Sequence, residues 1–538
     1  MLGAAVAASV ATAASGLAPA AGQASARGSG GAPPVTYYAG TRGVARLLPR
    51  TAPAGGASAT PLRSRAARSL PSGTFAPRET VPVASAPAAT TAATLHNFNG
   101  VSSLDSQVTN YNLKFEPPDQ GLCEGNGYVL EAVNSAYRIY RRDGTSVRGP
   151  FNINDLFNVG GKEFTSDPRC WFDPSTQTWF ATILFLNDTF TGSDLLIATR
   201  HSPNPLGLWN EYQINTTDTG NGCPCFGDQP RIGIDQYNLY VTDDEFSITG
   251  PQFLGPDVYA FSKADLVAGA TTLHFVRFPH LTIAGQPTLA PQPALSAGTP
   301  RAEFFLSSVQ AGPQRGSGVG VWAMTRRQKV AAGGVPTLSS VVIGSEHYAN
   351  PPGAPQKGAT STLASGDDRM QQTEYVGGTV WGELNTAVQP AGDSKVRAGG
   401  AWFQVRPSLS SQGVTGGSIV RQGYVAAAGQ YLLYPAVQPD AAGNAAVVFT
   451  ITNATRFPSA GYATLEGDAS NFGPPVVAAA GTGPYDPKAT RWGDYSFAVP
   501  DDTADAAWFA TEYMPPVSSQ TSPPLRNWGT RVFEVPLG

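Results

Sequence analysis

A hairpin recurs along this chain, and its spacing limits the folds open to it. The unit is a polar lead-in, a short strand, a turn rich in Asp, Gly and Asn, and an aromatic strand. It reads "RCWFDPSTQTWFATILFL" from Arg169, "RIGIDQYNLYVTDDEF" from Arg231 and "RMQQTEYVGGTVWGELN" from Arg369. It returns as "YPAVQPDAAGNAAVVFTITN" from Tyr434 and "YSFAVPDDTADAAWFATEY" from Tyr495, with weaker copies from Cys123 and Pro293. The starts at 123, 169, 231, 293, 369, 434 and 495 are mostly about 60 residues apart. Strand-like runs such as "SDLLIATRHS" and "DVYAFSKADL" fill the intervals, so each unit has room for four strands. Radial repetition of four-stranded sheets is a β-propeller, which leaves few exposed edges. The spacing therefore predicts an all-β, seven-bladed propeller over residues 94–538. Six blades is the alternative count, because the first unit is short and the fourth matches poorly. The run "WGTRVFEVPL" (residues 528–537) completes a blade, and residues 94–115 are placed to close the ring against it.

Composition agrees with many tight turns: 60 Gly and 46 Pro in 538 residues. A net charge of -4 gives no basic surface for nucleic acid or anionic lipid. No stretch is apolar enough to span a bilayer. The opening "AAVAASVATAASGLAPAAGQASA" ends in Ala24-Ser25-Ala26, an A-x-A cleavage pattern, although no basic residue follows Met1. Residues 1–26 thus read as a signal peptide. Residues 27–93 read as a disordered Ala/Pro/Ser/Arg-rich linker without sustained period. The expectation is a secreted, extracellular, monomeric protein.

In a propeller the innermost strand of each blade begins at one face, and its hairpin partner returns there. The beginnings supply Asp119, Asp167, Arg169, Asp228, Arg231, Asp368, Arg369, Arg491 and Asp494; the returning ends supply Asp243, Asp244, Glu245, Glu383, Glu512 and Tyr513. One channel mouth should then carry a ring of carboxylates and arginines. Such a ring either cross-links blades through charged hydrogen bonds or holds a polar ligand. Arg169, Asp228, Arg231, Asp368, Arg369, Arg491 and Asp494 are the ligand-binding candidates. Asp243-Asp244-Glu245 is a dense set of hard oxygen donors that would suit Ca²⁺. The loop Asp501-Asp502-Thr503-Ala504-Asp505 offers similar donors, but Asp and Thr also simply make good turns. No other cofactor is indicated.

Four cysteines in an exported chain suggest disulfides. Cys123 and Cys170 begin adjacent repeats and could meet across a blade boundary. A bridge between Cys223 and Cys225 would be a small ring, and their loop could instead reach either of the first two.

The runs "PPDQGLCEGNGYVLEAVNSAYRIYRRDG" (residues 117–144), "SDPRCWFDPSTQTWF", "CPCFGDQPRIGID" and "RWGDYSFAVPDD" resemble secreted bacterial propellers of the sialidase-like, BNR-repeat superfamily. The resemblance spans about residue 110 to 538 and implies propeller fold and export. Sialidases carry an S-x-D-x-G-x-x-W box in their hairpin turns. Here "DPSTQTW", "DAAGN" and "DDTADAAW" stand at that place and depart from it. Sialidase-type chemistry uses an arginine clamp, a Tyr nucleophile activated by Glu, and an acid. Asp167 is the candidate acid, and Tyr495 the candidate nucleophile to meet Glu512. Two readings result. The first is a non-catalytic propeller binding an extracellular glycan, peptide or cell-surface ligand. The second is a sialidase-like glycoside hydrolase or lyase at the same rim.

Overall fold

The computed structural model describes residues 34–49, 93–113, 115–220, 223–250, 252–289, 291–309, 316–485, 491–516 and 527–538. The candidate signal peptide and most of the linker lie outside them. Seven antiparallel sheets of four or five strands follow one another in chain order, with a two-stranded ribbon of Thr282–Ile283 and Gln286–Pro287 between the third and fourth. Their innermost strands are Gly121–Gly125, Phe164–Asp173, Cys225–Ile234, Gln292–Pro293, Met370–Val376, Tyr431–Pro439 and Phe497–Pro500. Each falls on, or just after, one of the seven hairpin starts. Neighbouring innermost strands touch in sequence and the seventh touches the first. The protein is a seven-bladed β-propeller. Blade 4, with two residues in its innermost strand, is the unit whose sequence matched poorly.

Most blade strands are buried on both faces, and Thr379–Val388 is buried at every position. That burial explains runs with little polar alternation. Trp179, Trp322 and Trp508 are fully enclosed, each such side chain contributing roughly 2–3 kcal/mol on removal from water. The ring closes as anticipated: Asn97–Ser102 is the outermost strand of blade 7, paired with Gly529–Pro536. Glu131 of blade 1 fastens the seam, accepting from Val101 N at 2.9 Å, from Tyr140 Oη at 3.2 Å and from Thr530 Oγ1. A Cβ at Gly100 would stand 2.5 Å from that carboxylate, so only glycine fits the closing strand there.

The linker reading is corrected over residues 36–46. Thr36–Tyr38 adds to the outer strand of blade 4, and Thr41–Arg46 adds to that of blade 3. Both cover sheet edges that would otherwise stand open. Tyr38 stacks on Trp322 with ring centroids 5.1 Å apart and donates to Thr282 O at 2.6 Å. Strands this short carry no period of their own, so their order comes from the edges that receive them. Among the described residues no helix is long and apolar enough to cross a membrane.

Candidate functional site

Four of the seven innermost strands carry β-bulges: register slips between Ser166 and Arg169, Asp228 and Arg231, Met370 and Gln372, and Leu433 and Ala436. Beside them stand residues with left-handed backbone, Asp119, Asp167, Gln229 and Tyr434, at φ 46–60°. A bulge frees backbone groups from the ladder and re-aims side chains. Asparagine side chains from nearby turns, loops and strands accept from backbone amides here. Asn134 accepts from Asp167 N at 2.7 Å, Asn385 from Tyr434 N at 2.8 Å and Asn350 from Asp368 N at 3.2 Å. Repetition of this device brings one polar residue after another to the channel mouth.

Part of the expected set is connected there. Asp119, Asp167 and Asp494 bring carboxylate oxygens within 4.8 Å of one another. Asp119 accepts from Asp494 N at 2.8 Å and from Asn134 Nδ2 at 2.7 Å, tying blade 7 to blade 1. Arg491 grips Asp494 with two nitrogens, one at 2.6 Å. Arg231 donates to Asp244 at 2.9 Å and to Gln229 at 2.7 Å. Arg369 also reaches Gln229, linking blades 5 and 3. Arg169 sits over Tyr495, its guanidinium carbon 3.2 Å from the ring centroid. Half-buried Asp228 acts electrostatically on Asp167.

Burial, then Asp228 and Asp494, pushes the Asp167 carboxyl up to about 7. Burial, then Asp494 and Asp167, raises Asp119 well above the carboxylate range. Burial, then Asp119, does the same to Glu512. Burial also depresses Arg169. Asp167 is therefore suited to hold a proton near neutral pH, as an acid would.

Four placements differ from the sequence reading. Tyr495 donates its hydroxyl to Pro168 O at 3.2 Å and is capped by Arg169, so its phenol is committed elsewhere. The tyrosine beside Glu512 is Tyr434: a Cβ on Gly493 would stand 3.2 Å from Glu512 Oε2 and 3.4 Å from the Tyr434 ring. Arg369 takes its carboxylate from Asp367, at 2.7 Å, and not from Asp368. Asp368 is fully buried with both oxygens free of hydrogen bonds. Tyr513 leaves the mouth and bonds Asn99. Finally, the Asp243-Asp244-Glu245 set divides. Asp244 faces the arginines of the mouth, while Asp243 and Glu245 join Asp257 on the opposite face of the strand, as period-2 alternation requires.

Tyr434, Asp367, Gln229 and Asn134 are the site residues that sequence reasoning did not single out. Tyr434 opens one of the seven repeats, so its position was visible; its direction, set by the bulge, was not.

Below the mouth the inner strands are cross-linked. Gln372 of blade 5 exchanges hydrogen bonds with the Ala498 backbone of blade 7, at 2.7 and 3.0 Å. Leu295 of blade 4 bridges in parallel to Ile234 and Glu374 on either side. The polar residues of the mouth, here termed the bowl, lie above these bonds. Its more exposed members are Arg491, Asp494 and Arg369, with 26%, 24% and 12% of their side chains accessible. Asp119, Asp167, Tyr434 and Glu512 are buried.

Cys123 and Cys170 form the expected disulfide between blades 1 and 2. Cys223 and Cys225 bridge to each other, the small-ring alternative of the two left open for them. The Asp501 loop is a capped turn. The Asp501 carboxylate accepts from Thr503 N at 2.7 Å, Ala504 N at 2.8 Å and Trp508 Nε1 at 2.9 Å.

No known protein family and no curated protein sequence matches the chain. The class of protein defined by the fold is the seven-bladed propeller, and solved structures with distant likeness to it exist. The GH93 α-L-arabinofuranosidase of Fusarium graminearum in complex with arabinobiose is 10% identical, covers 82% of this chain and 98% of its own, and has a TM-score of 0.33. An exo-1,5-α-L-arabinanase from a bovine ruminal metagenomic library is 9% identical, covers 67% and 95%, and scores 0.28. An N-acetylgalactosamine deacetylase from F. plautii in complex with blood group B trisaccharide is 10% identical, covers 82% and 94%, and scores 0.29. At such scores the likenesses carry no argument about chemistry, and the propeller rests on its own sheet order.

Proposed function

We propose that this is an extracellular propeller that holds a polyhydroxylated ligand, a glycan, in the bowl at its channel mouth. One observation supports this reading above others. The buried polar atoms of the mouth without a hydrogen-bond partner include Asp167 Oδ1, Arg231 Nη1, Tyr434 Oη, Arg491 Nε, Glu512 Oε1, Asn385 Nδ2 and both oxygens of Asp368. Unpaired buried polar groups are rare and call for a guest, water or catalytic role. Three of these atoms are donors, four are carboxylate oxygens and one is a hydroxyl. An anion would need donors alone, and a metal ion acceptors alone. Sugar hydroxyls donate and accept at once. The guest meets Arg369, Arg491 and Asp494 first and reaches the inner layer as Arg491 yields.

A second reading is favoured by one pairing. Tyr434 and Glu512 flank Gly493, with Arg491, Asp494 and Asp119 around them. A Tyr activated by Glu beside an acid is the equipment of a sialidase-like glycoside hydrolase. In that case Tyr434, and not Tyr495, is the nucleophile, and Asp167 the acid.

One experiment separates the two. The full chain is titrated calorimetrically with a panel of oligosaccharides and assayed on matching chromogenic glycosides, sialosides included. Arg231→Ala, Tyr434→Phe and Glu512→Gln are run in parallel with folding checked by circular dichroism. Binding without turnover, weakened by Arg231→Ala, sustains the first reading. Turnover abolished by Tyr434→Phe and Glu512→Gln establishes the second. Neither binding nor turnover on any glycan sinks both.

A further inference from the structure

On the second and third strands of blade 3, three carboxylates meet away from the mouth. Asp243 and Asp257 stand directly opposite each other in the antiparallel ladder, and Glu245 shares the face of Asp243 two residues on. Their oxygens lie within 4.8 Å of one another. Like charges directly opposite on paired strands are destabilising, and these are buried, at 3%, 0% and 0% exposure for Asp243, Asp257 and Glu245. Gly227 is pressed against the group: a Cβ there would stand 2.2 Å from Asp243 Oδ2.

The surrounding groups answer only part of this charge. Arg277, on the fourth strand, pairs with Asp257 through Nε and with Asp218 at 3.1 Å. His280 donates its backbone amide to Asp257 Oδ1 at 2.7 Å, and its ring lies 3.1 Å from Asp218. Tyr259 donates to Asp257 Oδ2 at 3.4 Å. Arg231 and Asp244 face the group only through the strand, from its other side. Asp257 is thus well served, but Glu245 is not. Neither of its oxygens accepts a hydrogen bond, and its nearest cation, Arg277, is 3.6 Å away. Asp243 Oδ1 is likewise unpartnered.

We infer that Asp243, Glu245 and Asp257 form a calcium site that fastens the middle strands of blade 3. All donors are hard oxygens, and three carboxylate oxygens of the cluster have no hydrogen-bond partner, the chemistry that Ca²⁺ selects over softer metals. The competing arrangement is a shared proton, because burial, then Asp243 and Asp257, raises Glu245 to about 10. The site is separate from the bowl and independent of what the bowl binds.

Terbium(III) distinguishes these arrangements, since Tyr259 touches the cluster and can sensitise its luminescence. The full chain is stripped with chelator, dialysed and titrated with Tb³⁺ under tyrosine excitation, followed by Ca²⁺ competition. The expected result is a saturable signal displaced by Ca²⁺ and at least tenfold weaker in Glu245→Gln. Calcium should also raise Tm in the wild type and not in that variant. Three outcomes would overturn the site. One is no sensitised signal with Tm indifferent to Ca²⁺. Another is a signal lost in Asp167→Asn but kept in Glu245→Gln, which would place the ion at the mouth. The third is Glu245→Gln matching or exceeding the wild type in Tm with and without Ca²⁺, the signature of a shared proton.

Discussion

The two ends of the propeller are built from the same residue types and use them differently. At the end bearing the first hairpin turns, an aspartate begins the turn and is closed by a cation of the following blade. Asp173 of blade 2 takes Lys263 of blade 3 at 2.6 Å. Asp235 of blade 3 takes Arg327 of blade 4, and Asp501 of blade 7 takes Arg142 of blade 1. Each cation lies just beyond its blade's third strand. Turn amides supply the remaining bonds, as Tyr237 and Asn238 do for Asp235 at 2.7 and 2.9 Å. At the mouth, by contrast, carboxylates crowd one another and polar atoms stay unpaired. A buckle spends its hydrogen bonds internally; a site keeps some in reserve. The difference in satisfaction is one of degree, since Glu124 meets Asp501 and Asp502 at the turn end and Glu124 Oε1 and Asn238 Oδ1 are unpartnered there; the buckled aspartates themselves are the satisfied groups.

The strongest way to break this contrast is at a buckle. Arg327 and Asp235 are almost fully buried, and removing one partner of a buried pair typically costs about 3–5 kcal/mol. Arg327→Met should lower unfolding stability by that order in urea, and adding Asp235→Asn should restore part of it, because the amide removes the unpaired charge while its oxygen still accepts from the Tyr237 and Asn238 amides. If Arg327→Met changes stability by less than about 1 kcal/mol, the buckles are ornaments and the contrast fails.

The next effect is smaller and depends on pH. Asp167, raised to about 7, binds more protons folded than unfolded between about pH 4 and 7. Stability from its neutral form is present below the unfolded pKa and lost as pH rises through the folded one. Burial opposes ionisation of Asp173, but Lys263 and its hydrogen bonds hold it below the ordinary range. Its contribution is present above the unfolded pKa and lost on acidification. Asp167→Asn should therefore gain on the order of 2 kcal/mol at pH 8 and nothing at pH 4. Asp173→Asn should lose stability at pH 8 and little at pH 3. Matching pH profiles from the two variants would mean that the ends do not differ.

Much of the ring was legible before the structure, because strand beginnings recur and each carries its Asp or Arg in sequence. Arg169, Arg231, Arg491 and Asp494 needed only the topology to be placed. The division of Asp243-Asp244-Glu245 follows from strand alternation and was readable in principle. Tyr434 was not, since a left-handed residue at a bulge breaks the alternation that would have aimed it. Strands 36–46 were hidden for another reason: they borrow their order from edges far along the chain. Asp367 and Asp368 show the limit of resolution, two adjacent acids of which only one meets Arg369.

The subtlest effect sharpens the contrast most. Tyr434 and Tyr495 are both buried at the mouth, one with an unpartnered hydroxyl and one donating to Pro168 O. If hydroxyls there served only the scaffold, Tyr495→Phe would cost about 1 kcal/mol for its lost bond. Tyr434→Phe would then be neutral or stabilising, because removing a buried polar atom without a partner relieves a desolvation penalty. The site reading makes the same forecast for stability and adds one for binding. Tyr434→Phe should weaken the glycan roughly tenfold, the 1.4 kcal/mol of one hydrogen bond to a sugar hydroxyl, while Tyr495→Phe leaves affinity alone. Calorimetric titration and urea unfolding of the two variants side by side read both quantities. A hydroxyl that stabilises nothing in the free protein and yet is missed by the ligand has been kept for the ligand. One whose loss neither measurement detects returns Tyr434 to the scaffold.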